Sequence, residues 1–220
     1  MGRNRMRMGN LVAALLAVAL GGCSIVGGSK EPVTVFAPLP RVQADRAWPA
    51  LDAQLSIGPP HVSGMLDGTR IAVRPVPGEL QVYKGALWSE DPGEQLRDAV
   101  LQTLEESGKL AAVARQGSGL AADYRLELDV RRFEADYAGG PVPAATLEVN
   151  AKLVRTIGQS LVGTRTFRLA APASGTDTAL VARAFGEALG TIAHDIAGWT
   201  LATGAADPGD GSRDLKGSGS

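Results

Sequence analysis

Residues 123–133, DYRLELDVRRF, decide how the chain is read. Tyr124, Leu126, Leu128 and Val130 alternate with Arg125, Glu127, Asp129 and Arg131. A period of two puts the first set on one side of a strand and the charged set on the other, so the strand is covered on one face only. The alternation breaks at Arg132-Phe133, where a bulge or the end of the sheet is expected. Leu147, Val149, Ala151 and Leu153 repeat the pattern, and Arg165, Phe167 and Leu169 repeat it again after a turn around Gly158. Arg125 and Arg131 flank Glu127 and Asp129 on one face, which predicts a solvated cross-strand ion-pair ladder rather than a catalytic carboxylate pair.

Upstream, Asp91-Pro92-Gly93-Glu94 announces a helix, with Asp91 as N-cap, Pro92 at the first helical position and Glu94 completing a capping box. Leu96, Val100 and Leu104, with Ala99 and Leu101 beside them, form its apolar stripe, and Gly108 stops it. A second helix is expected from about Thr178 to Thr200, with Val181, Phe185, Leu189, Ile192, Ile196 and Trp199 on one face. Shorter strands are expected at Val33–Phe36, Arg70–Arg74, Leu80–Lys84 and Ala111–Arg115, and the loop-like stretch 41–66 holds a short one near Gln54–Ile57. The order reads as three strands, a helix, four strands and a helix. This is an α+β chain: a two-layer sandwich of a mostly antiparallel or mixed sheet with two long helices on one face.

The first residues carry Arg3, Arg5 and Arg7, then an apolar run from Leu11 to Leu20, then Gly21, Gly22 and Cys23. A basic segment, a short apolar segment and small residues make a signal peptide, and the run is too short to span a bilayer. Leu20-Gly21-Gly22-Cys23 resembles the bacterial lipobox. That resemblance implies a diacylglyceryl thioether on Cys23, cleavage before it and acylation of the freed amine. Small residues let the extended backbone enter the peptidase, and the thiol supplies the nucleophile. Cys23 is the only cysteine of the chain, so an intrachain disulfide is excluded. Ser24 stands where inner-membrane retention usually calls for Asp, which points to the outer membrane.

The expected organisation is a signal peptide over 1–22, a tether over 23–32, one periplasmic domain over 33–202 and a disordered tail over 203–220. About 198 residues from Cys23 onward suffice for one substantial core. Without the first three arginines, 19 basic side chains face 23 acidic ones. No basic stripe follows any element, so nucleic-acid binding is not expected. The tether to Val33 reaches at most ~36 Å, which holds the domain close to its membrane.

Chemistry-bearing clusters are sparse. The chain has two histidines: His61 sits in a proline loop and His194 on the last helix, where its neighbour Asp195 points elsewhere. Neither forms a nucleophilic triad, no Cys/His cluster suits zinc, and no glycine loop has phosphate-binding form, so neither a cofactor nor enzyme activity is expected. Gly186 and Gly190 form a small-residue strip that serves either packing on the chain's own sheet or a subunit interface. Tyr83 and Trp88 flank a Lys-Gly turn, as core aromatics or as a rim that meets a hydrophobic ligand or partner.

LDGTRIAVRPVPGELQVYKGALWSEDP, ADYRLELDVRRFEADY, TRTF ending at Phe167 and VARAFGEALGTIAHDIAGW together resemble the ABC-type transport auxiliary lipoproteins, the group that includes the lipoprotein of the paraquat-inducible (Pqi) system. The resemblance covers roughly residues 33–200. It implies a non-catalytic accessory whose partners are an MCE-domain protein and its ABC permease and ATPase, moving lipid across the Gram-negative envelope. It also implies an acylated, outer-membrane location, and ring-like homo-oligomers occur among such proteins. Only Cys23 carries over as a functional residue. The alternative is an envelope scaffold or regulatory lipoprotein that binds another periplasmic enzyme and handles no lipid.

Overall fold

The computed structural model describes residues 32–62 and 64–208. Its elements in chain order are β1 (Thr34–Phe36), β2 (Leu51–Ile57), β3 (His61–Val62), β4 (Arg70–Arg74), β5 (Gln81–Trp88), α1 (Pro92–Ser107), β6 (Leu110–Arg115), β7 (Tyr124–Asp136), β8 (Ala144–Arg155), β9 (Ser160–Pro172) and α2 (Thr178–Ala205). The α+β architecture is the expected one, but five strands rather than three precede the first helix.

β7 is the spine. Along one edge it pairs antiparallel with β8, from Tyr124 opposite Arg155 to Asp136 opposite Ala144, and β8 continues antiparallel into β9. The other edge is shared in relay by three short parallel strands: Leu55 of β2 lies opposite Tyr124, His61 of β3 opposite Asp129, and Ala72 of β4 opposite Glu134. The mixed sheet therefore forks, with β6 beyond β2 at one end and β5 then β1 beyond β4 at the other.

The register shift between Val130 and Arg132 is the bulge anticipated at Arg132-Phe133. One extra residue reverses which parity points inward. Leu126, Leu128 and Val130 are buried before it, Phe133 and Ala135 after it. The strand thus runs on to Asp136 instead of ending.

The helices cover the apolar face. Asp91 caps α1, its Oδ1 accepting from the Gly93 N–H at 2.7 Å, and Gly108 ends the helix at φ 59°. Glu94 does not complete a capping box; its carboxylate turns outward to Arg97. Instead Gln95 donates from Nε2 to the Glu90 carbonyl at 2.8 Å. α2 buries Val181, Phe185, Leu189, Ile192 and Ile196 against the sheet. Phe185 stacks on Phe133 at 4.7 Å between centroids and meets Trp88 edge-on at 5.0 Å, so the aromatic centre joins helix, spine and β5.

Candidate functional site

Every fourth residue on one side of α2 is small or polar: Gly186, Gly190, His194 and Gly198. This row does not face the sheet. Residues 37–48 of the same chain run along it, in the same direction as the helix. A Cβ at position 186 would lie 3.3 Å from the Leu39 carbonyl oxygen, and one at 190 only 2.6 Å from that of Arg41. At 198 it would meet the Trp48 indole Nε1 at 2.7 Å. His194 fills the remaining step. Its Nδ1–H donates to the Gln43 carbonyl at 2.8 Å, and its ring lies against Trp48 at 4.7 Å. The expectation that the Gly186/Gly190 strip packs on the chain's own sheet is thereby corrected: it meets residues 39 and 41 instead. At 186 and 190 glycine is needed because a backbone is the neighbour, and at 198 it makes room for the Trp48 ring.

The two aromatics singled out in the sequence part company. Trp88 is only 2% exposed and belongs to the aromatic centre, so it cannot line a rim; its Nε1–H has no acceptor among the described residues. Tyr83 is half-buried beside Tyr137, its hydroxyl also unpartnered. Burial, helped by Tyr137, pushes its pKa far above that of an ordinary phenol.

The open face of the sheet is charged throughout. The ion pairs run chiefly along β7, Arg125 to Glu127 at 2.9 Å and Arg131 to Asp129 at 3.1 Å, while Arg168 to Glu148 at 3.1 Å crosses strands. Arg131 also reaches Glu148 across strands at 3.9 Å, so the expected cross-strand pairs stand beside same-strand ones. A groove of about 600 Å³ opens where the β7 edge passes from β2 to β3, lined by His61, Gln116, Arg125, Asp129, Asn150 and Lys152. His61 therefore sits on a short strand pairing with the spine, on the face opposite α2. Among the described residues, no group of three or more His, Cys, Asp or Glu side chains is disposed to hold a metal ion.

Two clusters escaped the sequence reading. Past the bulge, Glu134 is 1% exposed and is gripped by Arg74 at 2.8 Å and Arg132 at 2.6 Å, and Arg132 also reaches Asp136 at 2.6 Å. Burial works to raise the pKa of Asp136. The Ala138 N–H and Arg132 outweigh it and hold the group below the usual carboxylate range. At the other end, Asp207 accepts from the Tyr124 hydroxyl at 3.0 Å and pairs with Arg155. Its signal was hidden in a Gly- and Asp-rich stretch. The ordered helix reaches Ala205 and the clasp lies at Asp207, both beyond the expected boundary at 202.

The family profile described as ABC-type transport auxiliary lipoprotein component matches residues 35–197, from β1 into the last third of α2. This chain belongs to that family. Its fold is that of protein XCC0632 from Xanthomonas campestris, with a TM-score of 0.76 and 49% identity over 79% of this chain and 97% of that one. A second solved structure, 18% identical with a TM-score of 0.56, shares the fold over 71% of the chain. Protein bll6063 of Bradyrhizobium diazoefficiens is 24% identical over 185 residues, which are 80% of this chain and 49% of that protein. The chain thus spans about half the length of the curated relative it matches. The family is one of auxiliary lipoprotein components of ABC-type transport. The lipobox residues Leu20, Gly21, Gly22 and Cys23 lie outside the described residues, as does the tail from 209 onward.

Proposed function

We propose that this auxiliary lipoprotein is acylated at Cys23 and docks an MCE-type lipid conduit, served by an ABC permease and ATPase, at the periplasmic face of the outer membrane. Membership of the ABC-type transport auxiliary lipoprotein component family carries this reading. The lipobox Leu20-Gly21-Gly22-Cys23 behind a basic and apolar leader supports the anchor. Several acyl chains, at about 0.8 kcal/mol per buried methylene, make such an anchor firm. The short span from Cys23 to Val33 supports a place beside the bilayer, where lipid must be delivered. The protein's part is binding and positioning, and a homo-oligomer would present several such domains to one conduit.

The test is crosslinking in the native envelope, detergent isolation and mass spectrometry of co-purified proteins and phospholipids. An MCE-domain protein in stoichiometric yield is the expected result. Recovery of a cell-wall enzyme without any MCE protein would favour the scaffold. Replacing Cys23 with Ala should leave a precursor that is neither acylated nor cut, and wild-type processing of that variant would remove the anchor from the reading.

A further inference from the structure

The segment between the tether and β2 is built unlike the rest of the domain. None of residues 33–50 is fully buried, and Leu39 is 85% exposed. Only Thr34–Phe36 are in a strand, paired along one edge with β5. Phe36 and Trp48 are the only side chains of the segment that reach the edge of the core. Besides the short β1–β5 ladder, its long-range hydrogen bonds are few: the Phe36 carbonyl accepts from the Ser89 N–H at 2.8 Å, that of Gln43 from His194, and that of Arg46 from Lys109 Nζ at 3.1 Å. Beneath it lie Gly186 and Gly190, where backbone meets backbone, and Gly198, which takes the Trp48 ring. Segments with few buried contacts open at lower free energy than the core they rest on.

We propose that residues 33–50 are a stowed strap that lifts off α2 as a unit, releasing extra tether between Cys23 and the domain. The proposal rests on anchorage at Cys23. With the strap seated, the link ends at Val33 and spans at most ~36 Å; with the strap lifted it ends at Leu51 and spans up to ~100 Å. α2 stays in place in both states, because its large side chains face the sheet. The same lipoprotein can then lie against its bilayer or reach well away from it to meet a partner.

Gly190→Leu puts a side chain where the Arg41 carbonyl now lies and leaves the sheet-facing side of α2 unchanged, so it acts as a wedge. Acylation consumes the Cys23 thiol, so Leu161→Cys supplies a single labelling site on the exposed start of β9. The acylated full chain, labelled there and bound to phosphatidylethanolamine/phosphatidylglycerol vesicles carrying a lipid acceptor, should show a near and a far population in single-molecule energy transfer. The far one should grow with Gly190→Leu. A single near population that the wedge does not alter would overturn the proposal. Should Gly190→Leu fail to fold, Trp48→Ala loosens the strap from outside the helix and must give the same shift. Trypsin reads the lift without any anchor: cleavage after Arg41 and Arg46 should accelerate on the order of tenfold in the wedge variant, with 51–205 intact. An unchanged rate would also overturn the lift. Failure of the chain to bind vesicles, with an unmodified Cys23 by mass, would instead remove the anchor and with it the change in reach.

Discussion

The two long sides of α2 are covered in opposite ways. Towards the sheet the helix presents Val181, Phe185, Leu189, Ile192 and Ile196, which interdigitate with the apolar face of β7, β8 and β9. Towards residues 37–48 it presents Gly186, Gly190, His194 and Gly198. One side is a contact between large side chains; the other is main chain on main chain at Gly186 and Gly190, with Trp48 alone packing a ring against His194 and Gly198. The first removes much apolar area from water and is costly to separate; the second chiefly satisfies shape. The glycines at 186 and 190 therefore admit a backbone neighbour that larger residues would exclude.

Truncation on the sheet side should have the largest effect. Phe185→Ala opens a cavity at the aromatic centre and should cost about 4 kcal/mol in a urea melt. A loss below about 1 kcal/mol would mean that the sheet side is no better packed than the strap side. Next comes the buried charge beyond the bulge, a third kind of covering. Glu134→Ala leaves Arg74 and Arg132 without their shared partner and should cost about 3 kcal/mol, whereas replacing all three with apolar residues should recover most of it. A triple variant as unstable as the single one would show that the cost lies in lost packing rather than in unpaired charge.

Smaller changes sharpen the contrast. Asp207→Ala should cost about 1 kcal/mol and raise amide exchange in the last turn of α2 while leaving its middle protected. On the strap side, Gly198→Ala should cost under about 1 kcal/mol, because the Trp48 indole can move away from the new methyl. A loss matching that of Phe185→Ala would place the strap within the core. The mildest handle is acid. Asp136 has a folded-state pKa below its unfolded value, so its contribution is fully present above the ordinary carboxylate range and is lost as pH falls through that range and below. Stability should be level between about pH 7 and 5 on this account, and part of its decline below about pH 4 should vanish in Asp136→Asn.

What could be read in advance followed from side-chain periodicity. The alternation from Tyr124 to Val130, the break at Arg132, the stripe Leu96–Val100–Leu104 and the Asp91-Pro92 cap all predict their elements. Each reports local geometry or one-sided burial. The strap was read as a proline loop because its contacts are made by carbonyl groups, which leave no pattern in residue types. The glycine row was noticed, but a list of small residues does not say whose backbone fills it. Glu134 and Asp207 were equally hidden, because each has a partner far away in the sequence: Arg74 is 60 residues from Glu134, and Tyr124 is 83 from Asp207. For Trp88 the residue types left core and rim both open, and the strand was expected to end at Lys84. It runs on to Trp88 and turns that ring inward.

The shared edge of β7 also dictates an order of assembly. The turn joining β8 to β9 brings Arg155 opposite Ser160, and β7 meets β8 across a similarly short connection. β2 must wait for partners 69 residues downstream, since Leu55 pairs with Tyr124. Closing such a loop costs chain entropy before any pairing is gained, so the β7–β8–β9 meander is expected to nucleate, with the N-terminal strands docking on its free edge afterwards. Substitutions at Val149 or Leu153 should then slow refolding, while those at Leu55 or Ile71 should mainly hasten unfolding in stopped-flow measurements. A chain that emerges N-terminus first thus makes its earliest strands well before their template exists.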